Sequence, residues 1–195
     1  MANTEETDRG EAAGGAGGGS ETPLSLVRYP DEVLRSERVS VAEIEYPGGV
    51  EALARDMLET MYASKGVGLA GPQVGINARI AVIDPSPERD QAMVLIDPEI
   101  VERSGTIVEE EGCLSVPGVN GHVKRSARVV VEYTDLSGER RRVEAEGLPA
   151  RIFQHEIDHL DGKLFIDRLG MAKKLTIRKQ LARLEEAAER RKAEE

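Results

Sequence analysis

Aromatic side chains make up only 3% of this 195-residue chain, and tryptophan is absent. A chain of this length can build one domain with a real core, and that core must be aliphatic. Cysteine is almost missing as well: Cys113 stands alone, which excludes an intramolecular disulfide and argues for a reducing, cytoplasmic setting rather than a stapled secreted scaffold. No apolar run approaches the roughly 18 residues of a membrane span. The acidic N-terminus is not followed by the apolar segment of a secretory signal. Positive charge is in deficit, with 26 Lys and Arg against 36 Asp and Glu and a net charge of -10. That speaks against a general affinity for DNA or other nucleic acid, while leaving room for a local basic patch.

What is present falls into a clear order. Residues 1–22 are acidic and glycine-rich with almost nothing large to bury, so a disordered tail is expected there. A single domain should occupy 23–195, beginning where apolar residues first cluster at Pro23-Leu24. Leu53, Met57 and Met61 recur at four-residue spacing and predict an amphipathic helix over 48–64, with Gly66 suiting its C-terminal end. Short β-like runs follow at 79–83, 93–96, 128–133 and 141–145, the last two flanking a turn at 135–138. Pro149 should open a second helix that stops near Gly162. The charged tail, about 167–193, reads as a long exposed helix. Strands grouped between helices, rather than alternating with them, indicate an α+β fold and not a doubly wound sheet.

Gly66-Val67-Gly68-Leu69-Ala70-Gly71 matches the dinucleotide fingerprint G-x-G-x-x-G. That fingerprint needs a strand before it and a helix opening on its last glycine. Here a helix precedes the glycines, and Pro72 then leads toward a strand. The letters match; the context does not.

The chemistry-bearing stretch is His155-Glu156-x-x-His159, which uses two of the chain's three histidines. Four residues apart on a helix, both rings project from one face and can reach one metal ion. Glu156 is placed to handle a proton on a metal-bound water. A catalytic site needs a third protein ligand and one open position. The extended HExxHxxGxxH pattern is followed as far as Gly162 but has Phe165 in the final histidine position. Cys113, in Glu109-Glu-Glu-Gly-Cys-Leu-Ser-Val-Pro117, stays open between a small core residue, a nucleophile activated by histidine, and the third ligand. The lack of another ligand for the helix pair favours the last, in a set that suits Zn or Fe(II).

Gly66–Gly75 (GVGLAGPQVG), Glu111–Ser115 (EGCLS) and Gln154–Gly162 (QHEIDHLDG), in this order, resemble the three signature motifs of peptide deformylases. These enzymes remove the formyl group from the initiator methionine of nascent bacterial and organellar proteins. The likeness runs from about Leu24 into the C-terminal helix and includes Tyr29–Leu34. It implies antiparallel sheets packed around a central HExxH helix, with a long C-terminal helix. It further implies that Cys113, His155 and His159 hold one divalent ion, Fe(II) natively and Zn or Ni in some preparations. Glu156 would be general base and acid, and the amide of Gln73 and the backbone N–H of Leu114 would face the developing oxyanion. Gly68 and Gly112 would lie along the substrate, Val67, Leu148 and Ile152 would form the methionine pocket, and Glu111 would pair with Arg125 to brace the loops. N-formylmethionyl nascent peptides would be the substrate of a monomeric enzyme with no membrane or DNA partner. The resemblance also suggests ribosome docking through the C-terminal helix, where Arg168, Lys173, Lys174, Arg178, Lys179 and Arg183 form a locally basic stretch. Two departures stand out: Gly71-Pro72 alters the first motif beside Gln73, and Asn120 stands where many bacterial members carry an Arg or other peptide-contacting side chain. His122 reads as a surface residue. The competing readings are a metal-dependent peptidase of another substrate class, a Cys113–His hydrolase without metal, and a ribosome-binding adaptor.

Overall fold

The computed structural model describes residues 24–194; the tail expected over 1–22 lies outside them. Helix α1, Gly49–Ala63, buries Leu53, Met57 and Met61 on one face, together with Ala52, Asp56 and Thr60. Gly66 does not itself turn the chain out of this helix. Lys65 takes the left-handed conformation, at φ +57°, and Gly66 donates its N–H to Met61 O at 2.8 Å, satisfying one of the helix's last carbonyls.

Seven strands are present among the described residues: β1 Gly68–Ala70, β2 Ile80–Ile83, β3 Met93–Ser104, β4 Ile107–Gly112, β5 Asn120–Arg125, β6 Arg128–Thr134 and β7 Arg140–Glu146. Five form one sheet in the order β1-β2-β3-β6-β7, and β4 and β5 form a separate hairpin. Every ladder is antiparallel, as the α+β expectation requires. The predicted turn at 135–138 joins β6 to β7, with Gly138 at φ +82°.

Helix α2 spans Leu148–Leu160, with Pro149 in its first turn. All four residues of β2 are buried because both faces of that strand are covered. Ile80 and Val82 pack with Leu53, Met57 and Met61 of α1, while Ile83 packs with Leu95, Val129 and Val131 against Ile152, Phe153 and Ile157 of α2. Side chains of a strand alternate between faces, so one short strand ties the two helices into one core. The core is aliphatic as expected, joined by the chain's two phenylalanines, Phe153 and Phe165.

Three features depart from the sequence reading. Strand β3 runs on past Ile96 to Ser104, because Asp97, at φ +47°, and Pro98 bulge the strand without ending it. Strands β1 and β5 had no matching run in the sequence reading. The C-terminal helix α3 is Met171–Glu194 and does not begin at Asp167. That residue closes a preceding 3₁₀ turn, Phe165–Arg168, accepts from Leu164 N–H at 2.8 Å and pairs with Arg35 at 2.8 Å. Nor is α3 exposed all round. Ile177 is buried, and Leu181 and Leu184 pack with it on Val116, Val123 and Phe165, along one helix face at spacings of four and three.

Candidate metal centre

Helix α2 lies between the five-stranded sheet and the β4–β5 hairpin, and it buries Glu156, Asp158 and His159 as well as its apolar residues. Cys113 follows directly on the end of β4, where Val116 N–H donates to Cys113 O at 3.0 Å and closes a turn. These two elements bring the donor atoms of Cys113, His155 and His159 within 4.8 Å of one another. His159 Nε2 lies 3.2 Å from Cys113 Sγ, and the two imidazole rings meet edge to face with centroids 5.0 Å apart.

A carboxylate only accepts hydrogen bonds, so the 3.2 Å contact between His155 Nδ1 and Glu111 Oε2 makes Nδ1 the donor and leaves Nε2 with a free lone pair. This is how a carboxylate orients a metal-binding histidine. Glu111 is held in turn by Arg125, at 2.9 Å from Nε and 2.8 Å from Nη2. The pair is almost fully buried, unlike a solvated surface salt bridge. Burial alone would raise the Glu111 carboxyl; its hydrogen bonds to Arg125 and His155 override that and hold it at about 2.

Burial and the neighbouring His155 charge keep His159 well below its usual range, and therefore neutral, as a ligand must be. Burial also disfavours charge on His155, yet its hydrogen bonds to Cys113 and Glu111 and the negative charges of Cys113 and Glu156 raise it to about 10. Thiolate plus two imidazoles is a donor set suited to Zn or Fe(II). Glu156 stands beside this triad. Burial pushes its carboxyl up to about 7, and its Oε2 has no hydrogen-bond partner among the described residues.

Cys113 and His155 open onto a cavity of about 400 Å³, a size suited to a small substrate group, lined also by Val67, Gly68, Gln73, Gly112, Leu114, Leu148, Ile152 and Glu156; His159 lies buried behind them. Every residue expected to contact substrate therefore faces one space. Gln73 is held by Ala70 N–H, which donates to Oε1 at 2.9 Å, and turns Nε2 toward Cys113 Sγ at 3.5 Å. Val67 and Leu148, about half exposed, form an open apolar rim. Asn120 and His122 lie on β5 with exposed side chains, His122 opposite Glu110, and neither lines the cavity.

Some residues of the site escaped the sequence reading. Lys65, Glu110 and Arg151 also line the cavity, and Arg151 Nη2 donates to Glu110 O at 2.6 Å. Asp158 bridges Arg125 and Arg168. Arg168, though partly exposed, is thereby committed to Asp158 rather than left free in the basic stretch in which the sequence placed it. Helical spacing offered a signal for two of these, since Arg151 lies four residues before His155 and Asp158 three after it.

A family model described as polypeptide deformylase matches residues 23–175. The chain belongs to that family. It is 46% identical over 166 residues to the peptide deformylase of Endomicrobium trichonymphae, a match covering 85% of this chain and 98% of that protein. To the peptide deformylase of Thermodesulfovibrio yellowstonii it is 47% identical over 159 residues, covering 80% and 95%. Among solved structures it is similar to Arabidopsis thaliana peptide deformylase 1B in complex with an inhibitor, with TM-score 0.80 and 37% identity over 86% of this chain and 93% of that one. The peptide deformylase of Thermus thermophilus superposes with TM-score 0.77 and 41% identity, covering 85% and 99%. As a deformylase the chain is a metal-dependent hydrolase that removes the formyl group from nascent peptides, and a peptidase of another substrate class is not favoured. No helix among the described residues is long and apolar enough to cross a membrane.

Proposed function

We propose that Cys113, His155 and His159 hold one divalent ion, Fe(II) in the native enzyme, and that this chain deformylates N-formylmethionyl peptides at that centre. The observation that carries the assignment is the convergence of three donors within 4.8 Å beside a buried carboxylate with an unpartnered oxygen. Such an ion supplies a water acidified toward neutral pH and a Lewis acid for the formyl oxygen. Glu156, with its carboxyl at about 7, takes the proton from the attacking water and hands it to the departing amine nitrogen. Gln73 Nε2 and Leu114 N–H donate to the oxygen on which negative charge develops. Gly68 and Gly112 run along the peptide backbone, and Val67, Leu148 and Ile152 take the methionine side chain. Glu111 and Arg125 keep His155 facing the site.

Formate release from formyl-Met-Ala-Ser tests the reading. The metal-loaded chain should release formate from it and none from the unformylated peptide. Chelation should abolish turnover, and Fe(II) added without oxygen should restore it. Full activity after rigorous metal stripping would favour a Cys113 thiol mechanism instead.

The enzyme's partner is the ribosome near the nascent-chain exit, with the chain acting as a cytoplasmic monomer. Support comes from α3, where Lys173, Arg178, Lys179 and Arg183 are exposed. Truncating α3 would uncover Val116 and Phe165, so charge reversal is the cleaner probe. The Lys173→Glu, Arg178→Glu, Lys179→Glu variant should keep peptide activity and lose co-sedimentation with ribosomes. Unchanged co-sedimentation would remove the ribosome from the proposal.

A further inference from the structure

We infer that Ser115 is a positioning residue that aims the side-chain amide of Gln73 into the reaction space. The inference rests on the deformylase reading, in which Gln73 donates to the formyl oxygen. An amide side chain has a donor end and an acceptor end of nearly equal shape, and only its partners decide which end points where. Gln73 is 2% exposed and Ser115 is wholly buried, so water does not make that choice. The Ala70 N–H donates to Oε1 at 2.9 Å and draws the carbonyl end away from Cys113. Nε2 donates to Ser115 Oγ at 3.3 Å and is 3.5 Å from Cys113 Sγ. With one N–H engaged by Ser115, the other is directed beside Cys113, where an oxyanion would sit. A flipped amide would present its oxygen to that charge and repel it.

Ser115 is absent from the cavity lining, so contact with substrate does not account for its place. The backbones of the pair are held independently of the hydroxyl. Val27 N–H donates to Gln73 O and Tyr29 N–H to Ser115 O, each at 2.8 Å. One short extended segment therefore straps both residues, and removing Oγ acts on the Gln73 amide while the strap keeps the loop.

The test is a double-mutant cycle in the metal-loaded full chain, reading kcat and KM on formyl-Met-Ala-Ser together with metal content and Tm. Gln73→Ala should lose roughly 10²-fold in kcat, the scale of one oxyanion donor. Ser115→Ala should lose roughly 10-fold in kcat with KM within about two-fold, the split expected of a transition-state interaction. Metal content should match that of the unsubstituted chain. The double variant should be no slower than Gln73→Ala alone, because the hydroxyl acts only through the amide. An unchanged kcat in Ser115→Ala, or losses that multiply in the double variant, would overturn the inference. So would a Ser115→Ala chain that fails to fold or to retain metal, which would make the hydroxyl part of the Cys113 loop. Absence of formate from the unsubstituted chain is a separate outcome, and it removes the deformylase reading together with this inference.

Discussion

A Cβ on Gly68 would lie 2.8 Å from Cδ and 2.9 Å from Cγ of Glu156, closer than real Cβ atoms approach their neighbours. The glycine of the first motif is thus required by a carboxylate some ninety residues downstream, and a phosphate has no part in it. Gly71 is similarly enclosed, since its Cβ would meet Ile76 O at 2.8 Å. Gly68→Ala should lower kcat at least roughly 10-fold by displacing the proton acceptor, a small misplacement of a group that must be closely positioned. Glu156→Gln keeps the shape and loses the acceptor, and should cost about 10²- to 10⁴-fold. Kinetics on formyl-Met-Ala-Ser with metal content in parallel would check both. A Gly68→Ala enzyme with unchanged kcat would uncouple the glycine from Glu156.

At the scale of elements, α2 carries the site and Asp158 ties α2 to its surroundings. The Asp158 carboxylate receives Arg125 from β5 and Arg168 from the turn before α3, and Arg125 continues to Glu111 on β4. Four charges thus link α2, the hairpin and the approach to α3. Removing one partner of a buried pair leaves a charge without compensation, so Asp158→Ala should destabilise by about 3–5 kcal/mol. Arg168 is far more exposed than Arg125, at 36% against 1%, and Arg168→Ala should cost about 1 kcal/mol or less. Urea unfolding of the two variants would check the order. Equal losses would show that the network draws its strength from the solvent side. Strands β1 and β5 belong to this scale too. Gly68–Ala70 and Asn120–Arg125 have few of the β-branched residues that mark a strand, and they are extended because β2 and β4 supply their hydrogen-bond partners.

Across the whole molecule, three tyrosines fasten separate parts of the chain to carboxylates: Tyr29 to Glu185 at 2.6 Å, Tyr46 to Asp56 at 2.7 Å and Tyr62 to Asp84 at 2.6 Å. Burial, with the carboxylate acceptor adding to it, pushes each phenol from 10.0 up to about 12. Between pH 10 and 12 the folded chain keeps protons that the unfolded chain releases, so stability falls as pH rises. The contribution is complete below about pH 10 and lost by about 12. Thermal melts should show Tm dropping through this window, and less steeply in the Tyr46→Phe, Tyr62→Phe variant; parallel curves for the two proteins would count against it. These links span 10, 22 and 156 residues, and the sequence reading held no trace of them. Helices α1 and α2 were legible because local periodicity marks a buried face. His155, Glu156 and His159 were legible because four-residue spacing alone puts two rings on one side of a helix. By itself, then, the sequence determined an α+β chain with an aliphatic core and two histidines on one face of a helix. Tertiary structure decided that Cys113 meets that pair, that Ser115 meets Gln73 and that Gly68 gives way to Glu156. Each of these contacts spans tens of residues and depends on sheet and hairpin packing, which no local pattern encodes.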